Sequence, residues 1–421
     1  MSKLTKYKFS DLYEMSSGIS SSKEQAGHGS PFISFSTVFN NYFLPEELPD
    51  LMDTSLKEQE IFSVKKDDVF ITRTSETVDA LAMSCVAVKD YPKATFSGFV
   101  KRLRPKTTGI VYSKYIAFFL RSKYFRKVLD CNTIMTLRAS FNEDMFSFLY
   151  LYLPDYEEQV RIGDLLYKME MKIRTNNKIN DNLEQQARLL YDYWFTQFDF
   201  PDENGEPYRS SGGKMVWNEQ LKRTIPDGWT TNHLSDIFTF KSGYSFSSDL
   251  YEVSGKYKLL TIKNVQNNGI NLNVDNYINV LPDNVPDYCL LKAKDILMSL
   301  TGNVGRVGIM YADNCLLNQR VALAEPVNIN QRVFVYFLLK SDIIHKQYEM
   351  IANGSSQQNL SPIEAEKVII AYNPEVATKF STLCNEYLNT IVSNLAENQE
   401  LINIRDWLLP MLMNGQATIN D

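Results

Sequence analysis

Residues 155–196 constrain this chain more than any other stretch. The run DYEEQVRIGDLLYKMEMKIRTNNKINDNLEQQARLLYDYWFT has no Pro and one Gly, Gly163. Its apolar residues recur at alternating steps of four and three: Ile162, Leu166, Met169 and Ile173, then Leu183, Ala187, Leu190 and Trp194. That spacing is the heptad seam of a coiled coil, so the helix it predicts needs a second helix to cover its stripe. Two middle slots of the seam are polar, Asn176 and Asn180. A buried seam amide costs stability and fixes register, because only one alignment pairs it.

A second such stretch lies at 375–415. Adding 218 to each seam position gives Phe380, Cys384, Tyr387, Ile391, Asn394, Asn398, Leu401, Arg405, Leu408 and Leu412. The Asn pair returns in the same two slots. Two unrelated amphipathic helices would give the same apolar stripes, but not this duplicated pair. Arg405 departs from the pattern and is expected at a partner surface rather than in a dry seam.

The segments ahead of the two helices also match in order. FSDLYEMSSGIS (9–20) aligns with LSDIFTFKSGYS (234–245), VKKDDVFITRTS (64–75) with LKAKDILMSLTG (291–302), and YIAFFLRS (115–122) with FVYFLLKS (334–341). Pro154 and Pro374 each stand just before a long helix, and offsets stay between 218 and 227. The chain therefore reads as one half duplicated, giving a pseudo-two-fold α/β (α+β) architecture. Two globular domains, 1–154 and 221–374, are each followed by a long helix, 155–196 and 375–415. Residues 197–220, containing PDENGEPYRSSGGK, read as a connector loop, and 416–421 as a tail. In the second domain, strands are expected at Lys258–Val265, Asp295–Leu300, Val307–Tyr311, Arg320–Pro326 and Val368–Tyr372, with a helix over 331–352. In the first, strands fall near 32–38, 68–72, 82–88 and 95–104, and a helix near 112–130.

Net charge is −6 over 421 residues, the wrong sign for a nucleic-acid binder until it is divided. Residues 1–154 carry +3, 155–220 carry −5, 221–373 carry 0 and 374–421 carry −4. The acidity sits in the helical stretches, which suits coils facing protein and globular parts facing something else. No run of 18 apolar residues could span a membrane, and the N-terminus MSKLTKYKFS has no signal-peptide character. Five scattered cysteines without a C-x-x-C read as reduced thiols in a cytoplasmic protein.

Catalytic signatures are missing. There is no Walker A loop, and Asn373-Pro374-Glu375 is not the Asn-Pro-Pro-aromatic loop of adenine methyltransferases. Three distant histidines (His28, His233, His345) speak against a His-based zinc site or a Ser-His-Asp set. Glu364-Ala365-Glu366-Lys367 lacks the upstream Pro-Asp of a nuclease site. Gly302-Asn303-Val304-Gly305-Arg306 lies between strands and reads as a hairpin loop. No catalytic and no metal-ligating residue is assigned.

Four runs resemble the specificity subunit of type I restriction-modification systems. YLPDYEEQVRIGDLL is similar to that family's Pro-x-x-Glu-Gln-x-x-Ile helix entry, and LEQQARLLYDYWFTQFDFP to its helix end. IPDGWTTNHLSDI resembles the Pro-x-Gly-Trp start of its second recognition domain, and IRDWLLPMLMNGQATI its ending. The resemblance implies a non-catalytic DNA-recognition subunit with two target-recognition domains, each reading part of a split double-stranded DNA site. It implies two docked modification subunits, which use S-adenosylmethionine to methylate adenine, and restriction subunits using ATP and Mg²⁺. It further implies that the two long helices pack as an antiparallel coiled coil and hold the domains apart, and that no cofactor is bound by this chain. A 42-residue helix is ~63 Å long, so the helices would act as a ruler for the uncontacted spacer. The rival reading is a coiled-coil scaffold with two protein-binding modules and no DNA role.

Phosphate contacts position such a protein and base-edge contacts choose the sequence. In the first domain the candidates are Thr72, Arg73, Thr74 and Ser75 after an apolar strand, the basic run Lys101, Arg102, Arg104 and Lys106, and Arg138 with Ser140. Alternation along a strand would put Arg102, Arg104 and Lys106 on one face and Lys101 on the other. The Lys and Arg residues of 121–127 are expected on a solvated helix face. In the second domain the candidates are Lys241, Ser242, Lys263, Asn264, Arg306, Asn318, Gln319, Arg320, Ser355, Ser356, Gln357, Gln358 and Asn359. Asn and Gln can read adenine, and Arg guanine, through paired hydrogen bonds. The first domain lacks an equivalent of Asn318-Gln319-Arg320 and has Gly98 and Phe99 nearby instead.

Overall fold

The computed structural model describes residues 3–75, 80–132, 139–352 and 358–419. The chain divides into two compact units. One comprises residues 1–173 with 400–421, the other 174–399.

Each unit is built on a four-stranded antiparallel sheet of the same order. In the first the order is Tyr13–Ser17, Val100–Pro105, Val69–Thr72, Ser84–Val86; in the second it is Phe238–Ser242, Val321–Pro326, Ile296–Ser299, Val307–Ile309. A second sheet, of three strands in the first unit and four in the second, contains one parallel pair in each, Ala26–Ile33 with Thr95–Phe96 and Tyr257–Leu260 with Cys315–Leu317. The strand that opens each repeat closes onto the strand ahead of the long helix. Thr5–Lys8 pairs with Tyr150–Leu153, and Thr230–His233 with Ile369–Tyr372. The glycine shared by SSGIS and KSGYS is required by close approach. A Cβ on Gly18 would lie 2.3 Å from Phe96 O, and one on Gly243 2.2 Å from Asn318 O.

The helices expected over 112–130 and 331–352 are each broken in two, at Ser113–Phe119 and Lys123–Asn132, and at Arg332–Leu339 and Asp342–Ile351. The breaks fall at Ser122 and Ser341, which match in the repeat. Each hydroxyl donates to the carbonyl three residues back and accepts from the amide three residues on. A serine there caps the second helix instead of continuing the first. The strand expected near 32–38 ends at Ile33, because Ser34 caps a helix over Phe35–Asn40. In the segment 121–127, Lys123 and Lys127 are exposed on the helix as expected, and the two arginines depart. The Arg121 guanidinium donates to the carbonyls of Ser84, Val38, Phe39 and Asn41 rather than facing solvent.

The long helices run Tyr156–Tyr191 and Pro374–Met413. The first starts on an Asp155 cap accepting from Glu158 N, the second on Asn373 accepting from Glu375 and Val376 N. Pro374 is thus the first helical residue, where its missing N–H costs nothing. Within the second unit Asn176 meets Asn398 and Asn180 meets Asn394. One number rises as the other falls, so the helices are antiparallel. Asn176 Nδ2 donates to Asn398 Oδ1 (2.9 Å) and Glu397 Oε2 (2.7 Å), and Asn398 Nδ2 donates to Asn177 Oδ1 (2.8 Å). Toward the end of the first helix, Tyr191 and Trp194 pack on Phe380.

In the first unit the same antiparallel sense holds, with Leu412 and Met413 buried in the cluster of Ile162 and Leu166. Arg405 corrects the expectation of a partner surface. Its side chain is 12 % exposed, 3.3 Å from Glu170, and its guanidinium lies over the Tyr42 ring. Gly163 lets the first long helix approach the helix Ser113–Phe119, since a Cβ there would be 2.8 Å from Tyr115 N.

Candidate nucleic-acid interface

In the second unit the apolar strand Ile296–Ser299 delivers the chain to Thr301-Gly302, which pairs antiparallel with Gln358-Asn359. Leu300 N donates to Arg320 O (3.1 Å) and Leu360 N to Leu300 O (2.9 Å). These bonds draw three separate loops together around a cleft of about 560 Å³. Its walls include Ser242, Thr301, Gln319, Arg320, Gln358 and Asn359. Gln319, Arg320, Gln358 and Asn359 are exposed. The hydroxyl of Thr301 is buried without a hydrogen-bond partner among the described residues. One guanidinium and three side-chain amides around an open cleft are the groups that read guanine and adenine edges.

Five of the sequence candidates thus converge: Ser242, Gln319, Arg320, Gln358 and Asn359. Asn318 stands behind them, its Oδ1 accepting from Gln319 N (2.7 Å). Arg306 closes the Gly302–Arg306 hairpin, its N donating to Ser299 Oγ (3.1 Å). Lys241 leaves the group, because it pairs with Glu325 at 2.5 Å and lies over the Tyr288 ring. Lys263 is exposed and paired with Asp275 at 2.8 Å, which raises its pKa. Asn264 is corrected: it is buried, donates to Asn271 O and Asn273 O, and accepts from Thr261, so its amide holds a turn. Ser355, Ser356 and Gln357 lie outside the described residues. Thr301 was missed, although it follows its apolar strand as Thr74 follows another. Glu366 Oε1 accepts from Phe240 N, so that carboxylate serves the sheet edge.

The first unit repeats the frame with other side chains. Thr74-Ser75 pairs with Ala139-Ser140, placing Thr74 opposite Ser140. Arg73 N donates to Phe99 O (2.9 Å), and Phe141 N to Arg73 O (2.8 Å). Arg73 is exposed beside this pair. Thr72 is corrected: it is fully buried, and its Oγ1 accepts from Met83 N (3.0 Å). Arg138 lies outside the described residues.

The basic run is the principal correction. Alternation holds, since Arg102 and Arg104 both donate to Ser63 O, but that face is turned inward. Arg104 Nη2 is 2.6 Å from Asp68, whose side chain is fully buried. The hydrogen bond with Asp68 holds the Arg104 pKa above its ordinary value against burial. Burial, then the neighbouring Arg104, lowers that of Arg102. Lys101 is buried with its Nζ donating to Ser17 Oγ (2.9 Å), and Lys106 Nζ donates to Ser10 O (2.8 Å). Lys101, Arg102 and Arg104 hold strands and loops together, because Ser17, the Ser63 carbonyl and Asp68 offer them partners, whereas Lys106 is exposed. The signal was Asp68 itself, which ends the KKDD turn ahead of an apolar strand.

Among the described residues no cluster of His, Cys, Asp and Glu could hold a metal. No helix there is long and apolar enough to cross a membrane.

The chain as a whole is similar to known proteins. The chain is 24 % identical over 429 residues to the type I restriction enzyme MjaIX specificity subunit of Methanocaldococcus jannaschii, covering 98 % of this chain and 93 % of that one. It is 25 % identical over 438 residues to the type I restriction enzyme HindI specificity subunit of Haemophilus influenzae, covering 91 % and 94 %. The fold is similar to the crystal structure of the type I restriction-modification S subunit from M. genitalium. The TM-score is 0.59 at 18 % identity, over 98 % of this chain and 96 % of that one. Residues 1–185 and 226–372 match the family described as type I restriction modification DNA specificity domain, and the chain belongs to that family.

Proposed function

We infer that this chain is the DNA-recognition subunit of a type I restriction-modification assembly and reads a bipartite double-stranded site, one part with each unit. The observation that carries the reading is the repeated frame. The same backbone hydrogen bonds present Arg73, Thr74 and Ser140 in one unit and Arg320, Thr301, Gln358 and Asn359 in the other. A constant scaffold with different reading groups is what two unlike half-sites require. Family membership supports DNA recognition, and nothing supports the scaffold alternative.

In this reading the chain performs no reaction. Two modification subunits bring S-adenosylmethionine and methylate adenine, and restriction subunits bring ATP and Mg²⁺, all in the cytoplasm. Length of the paired helices sets the number of unread base pairs between half-sites. Co-expression with the modification subunits, followed by mapping of adenine methylation, tests this. A two-part motif with a fixed gap is expected, and an undivided motif or none would refute it. Binding by the assembled complex should fall steeply with salt, as phosphate contacts require.

A further inference from the structure

The frame shared by the two units is filled in opposite order at its two central positions. In the second unit Leu300 donates its N–H to Arg320 O, and in the first Arg73 donates to Phe99 O. Arg73 therefore stands where Leu300 does, and Phe99 where Arg320 does. The exchange is not symmetric in burial. Leu300 is 5 % exposed, whereas the Phe99 ring is 65 % exposed. Single exposed apolar residues are common on proteins. This one occupies the place at which its twin carries the guanidinium of the reading cleft.

The backbone beneath the ring is pinned. Phe99 N donates to Ser97 Oγ (3.2 Å), Gly98 N to Ile19 O (2.7 Å) and Val100 N to Ser97 O (2.9 Å). Arg73 is exposed next to it. A base pair offers an apolar side chain one feature in the major groove, the C5 methyl of thymine. The geometry points to Phe99 as a specificity-determining residue that covers a thymine methyl in the half-site read by the first unit. Arg73 lies beside it for a neighbouring guanine or phosphate. This rests on the DNA-recognition reading above.

The test uses the full chain assembled with its modification subunits. Methylation mapping defines the two half-sites, and duplexes are then made with each thymine in turn replaced by deoxyuridine, which lacks only the methyl. Affinity is measured by fluorescence anisotropy for the native chain and Phe99→Ala. For the native chain, one deoxyuridine in the first half-site should weaken binding by about three- to fivefold, the worth of burying one methyl group. Phe99→Ala should lose that difference, Phe99→Leu should keep part of it, and deoxyuridine in the second half-site should affect all three alike. A first half-site without thymine would overturn the proposal. So would equal methyl sensitivity in the native chain and Phe99→Ala, or a uniform loss across all duplexes, which marks a wedge between bases. A complex that methylates a two-part site yet ignores the methyl refutes this assignment alone. A complex without sequence preference refutes the DNA-recognition reading as well.

Discussion

The paired amides of the helix seam give a prediction whose size follows from the structure. Asn176→Leu removes two donated hydrogen bonds, to Asn398 Oδ1 and Glu397 Oε2. Asn398 is 6 % exposed, so its stranded oxygen costs about 1–3 kcal/mol. Glu397 is half-buried, and the lost charge-assisted bond costs about 1.5–3 kcal/mol before water replaces it. Against this, the leucine buries apolar surface worth about 1.5–3 kcal/mol. It also removes Asn176 Oδ1, which is buried without a partner among the described residues. The single variant should thus lie between neutral and about 2 kcal/mol less stable. Adding Asn398→Leu removes the stranded oxygen and buries a second apolar side chain. The double variant should therefore be more stable than Asn176→Leu, with non-additivity of about 2 kcal/mol. Urea unfolding followed by tryptophan fluorescence reports it, because Trp194 and Trp229 are buried in that unit. The double variant keeps the Asn180–Asn394 pair, so its register should loosen rather than vanish, seen as bimodal hydrogen exchange confined to the helix turns around residues 176 and 398. Additive changes with unimodal exchange would refute the account.

Arg104→Met should destabilise the first unit by about 1.5–3 kcal/mol, because Asp68 is left buried with the Lys65 amide as its remaining hydrogen-bond donor and no counter-charge bonded to it. Adding Asp68→Asn should recover much of that in the same unfolding assay. Asp295 takes the place of Asp68 in the second unit, with Glu325 where Arg104 would be. Burial, and then repulsion from Glu325, raises its pKa. A carboxyl with a raised folded pKa contributes stability below its unfolded pKa and loses it as pH rises through the folded value. Asp295→Asn should therefore raise the melting temperature at neutral pH, and the gain should vanish below the ordinary carboxylate range. Arg320→Ala should relax the second half-site at one position, at about 1–3 kcal/mol, and leave the first unchanged, as read by methylation mapping. Deleting one heptad from 155–196 should shorten the gap or abolish activity, and altered half-sites would contradict the ruler.

The duplication and the seam were legible because both are patterns of residue type at fixed spacing. Ser10-Asp11 and Ser235-Asp236, the two glycines and the four asparagines survive in both copies, where a turn, a close approach or an amide pair needs them. The helix breaks were missed because YIAFFLRSKYFRKVL is apolar enough to read through Ser122, whose capping role depends on where the chain turns next. The basic run misled for a related reason. Charge in a sequence does not say which way it faces, and Arg104 faces inward because a distant aspartate, Asp68, fills the site it reaches. The converging candidates were polar residues just beyond apolar strands, where the chain leaves the core and side chains are released to solvent. Phe99 broke that rule of polarity and was noticed only as an absence of Asn-Gln-Arg.

The division of each long helix between the two units has a consequence for synthesis. Ile162 and Leu166 belong to the core that Leu412 and Met413 complete, yet the whole of the second unit is translated in between. The first half to leave the ribosome therefore waits, with an uncovered apolar stripe, for the last turns to arrive. A truncation near residue 400 would injure the beginning of the protein more than the part it adjoins.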